Sequence, residues 1–271
     1  MFVDRRDAGR QLAVGLRRYA EDEVLVVGLY GGGALVAAET AAILGAPLDV
    51  LVVRELALPE RSENVVGAIA EDGAILVDED ALKLTKIGAA GIRTVEQRLC
   101  DEAQALGRRL REGRPPGSMS GREVIVVDDG TASRISVEVA CRAIRAQGAG
   151  RVVFVVPAAS PATVDHLETI ADQVVCLLSP AFFIAASHFY LDFGPVAEDE
   201  VVRALRRAAE RTARFGPAPG GRDGGGGLRS RQQGPAPLPS PATSSKDGDE
   251  GKAAEGGRHG NQAVERGALH Q

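Results

Sequence analysis

Val124-Ile125-Val126-Val127-Asp128-Asp129-Gly130-Thr131-Ala132-Ser133-Arg134-Ile135-Ser136 runs from four β-branched residues into two adjacent acids, then into small and hydroxyl-bearing residues. A Val/Ile run without polar alternation suits a strand buried on both faces, the situation of a parallel sheet. Val137–Gln147, which follows, has helical composition and meets a stop signal at Gly148. The stretch therefore reads as strand, loop and helix, with the acids at the strand's carboxyl end.

The same order recurs on both sides. Val24–Leu29, Leu48–Val53, Val152–Val156 and Val174–Leu178 are further apolar runs, and Ala34–Leu44 and Pro161–Ile170 have helical composition, the first closed by Gly45. Repeated β-α-β units give an α/β fold, a doubly wound parallel sheet of five strands. Arg54–Pro116 breaks the alternation. Within it Val65–Ala70 and Ile75–Val77 flank Glu71-Asp72-Gly73, whose Asp-Gly favours a tight hairpin turn, and Gly91–Glu112 reads as a long charged helix. Residues 54–116 are thus expected to form an inserted cover beside the sheet's carboxyl edge. Phe182, Phe183 and Phe189 are expected to pack in the core.

After Phe215 the 271-residue chain becomes rich in Gly, Pro and Ser and lacks aromatic residues. Such a segment cannot bury enough surface to offset its ordering entropy, so residues 1–215 are expected to fold and 216–271 to form a disordered tail. The formal charge of −5 argues against nucleic-acid or anionic-membrane partners. The arginines from Arg203 to Arg214 alternate with acids, as on a solvated helix face. Three cysteines without close spacing, an N-terminus that turns charged at once, and no apolar run near the roughly 20 residues of a membrane span lead to the expectation of a cytoplasmic protein without an export signal.

Parallel sheets place ligands beyond the carboxyl ends of their strands. There Asp128 and Asp129 can accept hydrogen bonds from a vicinal diol, while the hydroxyls and free N–H groups of the following helix start can hold a phosphate. Together these describe a ribose 5-phosphate site. Helix capping by the acids and backbone bonding by Ser133 and Ser136 is the competing reading. The second loop, Gly28-Leu29-Tyr30-Gly31-Gly32-Gly33, fits neither a dinucleotide fingerprint nor a P-loop. Its glycines serve either to offer N–H groups to an anion or to let helix and strand pack closely.

The Asp128-Asp129-Gly130 loop resembles the phosphoribosyl-diphosphate (PRPP) signature of type I phosphoribosyltransferases, and the whole chain is similar to a family of bacterial phosphoribosyltransferases. The resemblance runs through Asp4-Arg5-Arg6-Asp7-Ala8-Gly9, the glycine loop, Leu51-Val52-Val53-Arg54, Glu63–Ile69, the acidic loop, Val156-Pro157-Ala158-Ala159-Ser160-Pro161 and Phe189-Tyr190-Leu191-Asp192-Phe193-Gly194. It implies a type I phosphoribosyltransferase-like fold and catalytic roles for Asp128 and Asp129, which hold the ribose hydroxyls and, indirectly, magnesium. It also implies a substrate-binding surface of Gly130, Thr131, Ala132, Ser133, Arg134, Ile135 and Ser136 around the 5-phosphate, with Tyr30, Gly31, Gly32, Gly33 and Arg54 around the pyrophosphate. PRPP with Mg2+ would be the substrate, a small ribose-phosphate compound the only expected partner besides a homodimer mate, and a base nitrogen the acceptor.

Several residues depart from the family pattern. Tyr30 and Gly31 stand where the family usually has proline and arginine, Glu55 where it often has lysine, and Arg134 and Ile135 where it has glycine and a small residue. An enzyme transferring phosphoribose is the leading expectation. The alternative is a non-catalytic or regulatory nucleotide or ribose-phosphate binder with a degenerate pyrophosphate site.

Overall fold

The computed structural model describes residues 1–19, 23–58, 61–83, 89–130 and 134–215. The chain divides into units Met1–Arg222 and Asp223–Gln271, and every described residue lies in the first. The expected tail, and Thr131, Ala132 and Ser133 of the acidic loop, lie outside the described residues.

The apolar runs are the strands of a parallel sheet. β1 (Val24–Leu29), β2 (Leu48–Leu51), β6 (Glu123–Val127), β7 (Arg151–Ala158) and β8 (Gln173–Leu178) lie in the order β2-β1-β6-β7-β8. β1 aligns Val26 with Leu48 on one side and with Ile125 on the other, and Ile125 in turn faces Val153. Alternate residues then serve opposite layers, since successive side chains leave a strand on opposite faces. Val24, Val26, Ile125, Val127, Val153 and Val155 pack with α1 (Arg5–Gly15) and α2 (Gly32–Leu44). Leu25, Val27, Val124, Val126, Val152 and Phe154 pack with α5 (Arg134–Ala146) and α6 (Pro161–Ile170). A strand with both faces covered has no use for polar alternation, which is why these runs are continuous.

The cover is larger in sheet content than its sequence suggests. The apolar run from Leu48 is interrupted at Val52, and β3 (Val53–Leu58) leaves the main sheet to pair with β4 (Arg61–Ala70), which pairs with β5 (Ile75–Val77) in a separate antiparallel sheet. The expected hairpin is therefore two strands of three, and the cover begins at Val53. Glu71-Asp72-Gly73 makes the expected turn, with the Gly73 N–H donating to Ala70. α3 (Glu79–Lys83) and α4 (Ala89–Leu110) follow, and α4 packs with α7 (Glu198–Phe215) over Val50 and Val52.

An ion cluster fastens this cover to the sheet. Arg111, just past α4, donates to Asp49 of β2 at 2.7 Å, to both carboxyl oxygens of Glu71 at 2.8 Å, and to the Val50 carbonyl. Its side chain is only 7% exposed. The two carboxylates hold the guanidinium firmly protonated against the cost of its burial. Gly107 on α4 leaves the space that the Glu71 carboxylate occupies: a Cβ there would lie 1.8 Å from Oε2.

Phe182 does not join the core. It is 93% exposed in the segment after β8, as is Ile184 at 83%, while Phe183 and Phe189 are half-buried and stack on each other at 5.4 Å, outside the buried core. The three cysteines are free thiols, and burial pushes Cys141 up to about 12. No described helix is long and apolar enough to cross a membrane.

Candidate active site

β6 delivers Asp128 and Asp129 beyond the edge of the parallel core, where the Asp128 N–H still donates to Val155 at 3.1 Å. The turn after β1 meets them there. Gly33 lies so close that a Cβ would stand 2.8 Å from the Val127 carbonyl and 3.1 Å from Asp128 Oδ1, and a Cβ on Gly32 would fall 1.7 Å from Asp129 Oδ2. The glycine turn and the acid pair thus form one surface, and the close approach is what Gly32 and Gly33 are needed for. Gly31 differs. Its φ of 107° is a conformation that side chains rarely adopt, with open space in the Cβ direction. An arginine here, as in the family pattern, would be strained on this backbone.

Two terminal segments close on the same point. Asp4 caps α1, accepting from Asp7 N–H at 2.7 Å, and so sets the first turn that carries Arg5. Arg5 Nε donates to Asp129 Oδ2 at 2.7 Å, its Nη1 donates to the Gly194 carbonyl at 2.8 Å, and its guanidinium lies 3.9 Å from the Phe193 ring centroid. The Tyr190 hydroxyl donates to the Asp129 carbonyl at 2.6 Å, and burial pushes this phenol up so that it stays an O–H donor. Phe2 pairs with Tyr190 in a short parallel bridge, and Ala186 sits where a Cβ on Gly130 would be, 2.2 Å away. The first and last of the family-like motifs therefore meet at Asp129.

The two acids are not equivalent. Burial, and then the charge of Asp129, pushes the Asp128 carboxyl well above the usual carboxylate range, whereas Asp129 has the Arg5 guanidinium beside it. The pair can offer one neutral carboxyl and one carboxylate to a diol, a combination able both to donate and to accept.

The remaining expected residues are spread around this centre. Arg134 is exposed at the start of α5, and Ile135 turns its side chain toward the core, leaving only its backbone to a ligand. The Ser136 hydroxyl donates to Glu55 Oε1 at 2.9 Å, so the acid that stands where the family often has lysine is tied to the first turn of α5. Tyr30 is half-buried, with the Arg54 guanidinium 5.7 Å from its ring centroid. Arg54 Nε is buried with no hydrogen-bond partner among the described residues, a donor in want of an acceptor. No group of three or more His, Cys, Asp or Glu side chains able to hold a metal occurs among the described residues. Two carboxyls, one already bonded to Arg5, suit a magnesium ion that arrives with phosphate and water ligands of its own.

Sequence reasoning on single loops missed Arg5, Tyr190, Phe193 and Ala186. The signal available for the first three was their place in family-like motifs at the two ends of the domain.

The chain matches the phosphoribosyl transferase domain over residues 4–193, a span that includes both loops and both terminal segments. It belongs to that family. Relatives include the proteins named Putative phosphoribosyl transferase Rv0571c and Putative phosphoribosyl transferase MT0597, from two strains of Mycobacterium tuberculosis. Each is 43% identical over 208 residues, which is 77% of this chain and 47% of the relative. The chain spans about half the length of these curated relatives. Among solved structures, TT1426 from Thermus thermophilus is 37% identical with a TM-score of 0.65, over 76% of this chain and 98% of that one. The five-stranded parallel sheet with helices on both faces is the type I phosphoribosyltransferase fold of the family.

Proposed function

We propose that this domain binds magnesium-bound PRPP and transfers its phosphoribosyl group to a nitrogen nucleophile, in the manner of a nucleobase acceptor. The observation that carries this reading is the contact of the acid pair with the glycine turn. A ligand whose ribose diol lies on Asp128 and Asp129 has its anomeric substituent directed to the backbone of Gly31–Gly33 and its 5-phosphate to the start of α5. As the bond to pyrophosphate breaks, positive charge grows on the ribose ring. The Asp129 carboxylate, held by Arg5 while Tyr190 holds the same residue's backbone carbonyl, is preorganised to stabilise it, and turn amides would receive the departing anion. The unpartnered Arg54 donor lies near Tyr30 at the end of the turn and suits a diphosphate oxygen. Magnesium supplied with the substrate neutralises diphosphate charge and improves it as a leaving group.

The Ser136–Glu55 bond favours a second reading. It puts a carboxylate at the helix start that would otherwise receive the 5-phosphate, a feature suited to a protein that binds a ribose compound without turnover. Calorimetric titration of the full chain with magnesium-PRPP and separately with nucleoside monophosphates tests both. The enzyme reading expects PRPP to bind in a magnesium-dependent way and to release pyrophosphate when bases are supplied. Monophosphate binding with no PRPP binding would support the second reading and overturn the first.

A further inference from the structure

We propose that Arg5 is a resident cation of the ligand site, held between the Asp129 carboxylate and the Gly31–Gly33 turn, where it offsets the acid pair and faces the diphosphate end of a phosphoribosyl ligand. The inference rests on the ribose and diphosphate placement proposed above and adds the residue that makes it electrostatically workable.

Three observations converge on Arg5. The first is position: its Nε lies 2.3 Å from the point a Cβ on Gly32 would occupy, so the guanidinium is against the turn itself, not merely near the acids. The second is rigidity. The bonds to Asp129 and Gly194 and the stacking on Phe193 fix the group from three sides, and its side chain is 12% exposed. Nη2 has no bond to any described residue, which leaves that end of the fork uncommitted.

The third observation is charge. Gly31 gives the turn no cation, and of the two adjacent carboxyls the ionised one would repel a polyanion approaching from the turn side. A guanidinium 2.7 Å from one of them removes much of that repulsion at a site with little water to screen it. Arg54 is another arginine near the turn, but it lies beside Tyr30 and the N-terminus of α7, and not at the junction of ribose and diphosphate. A built-in cation at that junction does part of the work of a divalent ion, so metal dependence is the property to read.

The experiment is calorimetric titration of wild type, Arg5→Gln and Arg5→Lys as full chains. The ligands are PRPP in magnesium, PRPP in EDTA, and ribose 5-phosphate. Arg5→Gln is expected to weaken PRPP binding by about tenfold or more, by a larger factor in EDTA than in magnesium, and to weaken ribose 5-phosphate by less. Arg5→Lys, which keeps the charge but not the planar fork, should recover part of the loss. Equal factors for both ligands and both metal conditions would overturn the proposal and leave Arg5 as a mere support of Asp129, as would an Arg5→Gln chain indistinguishable from wild type. If Arg5→Gln does not fold, Arg5→Lys carries the same comparison, and an equal loss with and without magnesium again overturns it. Wild type binding neither ligand would instead defeat the phosphoribosyl reading itself.

Discussion

Gly32→Ala is the substitution that most directly probes the meeting of turn, acid pair and Arg5. The added methyl would stand 1.7 Å from Asp129 Oδ2 and 2.3 Å from Arg5 Nε. Normal contact needs about 3.5 Å, so the carboxylate and guanidinium must move by more than an ångström. A 2.7 Å bond whose guanidinium is also tied to Gly194, and whose acid is tied at its backbone carbonyl by Tyr190, does not survive that shift. A mostly buried charge-assisted hydrogen bond contributes about 1.5–3 kcal/mol, which in a domain of this size lowers the melting temperature by roughly 3–12 °C. Gly31→Ala is the control. It meets no atom within 4 Å but forces a side chain onto a φ of 107°, at a cost of about 1–2 kcal/mol. Thermal unfolding with PRPP titration separates the two: Gly32→Ala should lose both stability and affinity, and Gly31→Ala chiefly stability. A Gly32→Ala chain that melts and binds like wild type would refute the packing described for this site.

Three further outcomes follow from the structure. Arg111→Met leaves Asp49 and Glu71 facing each other without their cation, so stability should fall by about 3–5 kcal/mol in denaturant unfolding; adding Asp49→Asn and Glu71→Gln should recover much of it, and a triple variant no better than the single would count against the cluster's role. Asp128, pushed up to about 8 by burial and by Asp129, binds a proton more tightly folded than unfolded; its contribution is present below the unfolded value near 4 and is lost as pH climbs through 8. Asp128→Asn should therefore gain on wild type between about pH 5 and pH 8.5, and parallel pH profiles would contradict the assignment. A chain ending near Gly216 should keep the wild-type melting temperature, since the composition beyond Phe215 offers little to a core; a large drop would show that those residues pack.

The central sheet was readable because burial on both faces leaves its mark as uninterrupted Val and Ile, and the acid pair stood out because charged residues have no place inside such a strand. The crossing of β3 into a second sheet was not readable: Leu48 to Val53 is one apolar run, and the switch at Val52 is set by the Glu71 side chain and backbone that bond to it. Asp49 inside that run was a missed signal, since an acid there needs a cation, and Arg111 was not singled out because its partners lie 62 and 40 residues away. The Arg5–Asp129 pair spans 124 residues, beyond any local pattern, and only the family-like motif at Asp4–Gly9 drew attention to that end of the chain. Phe182 shows the opposite error, an aromatic residue assigned to the core for its type alone.

The measurement closest to the central claim is magnesium-PRPP titration of the full chain against Asp128→Asn/Asp129→Asn, with melting curves to show that both fold. Loss of PRPP and ribose 5-phosphate binding in a folded double variant is the predicted result; unchanged affinity would contradict the ribose assignment on which the proposed function stands.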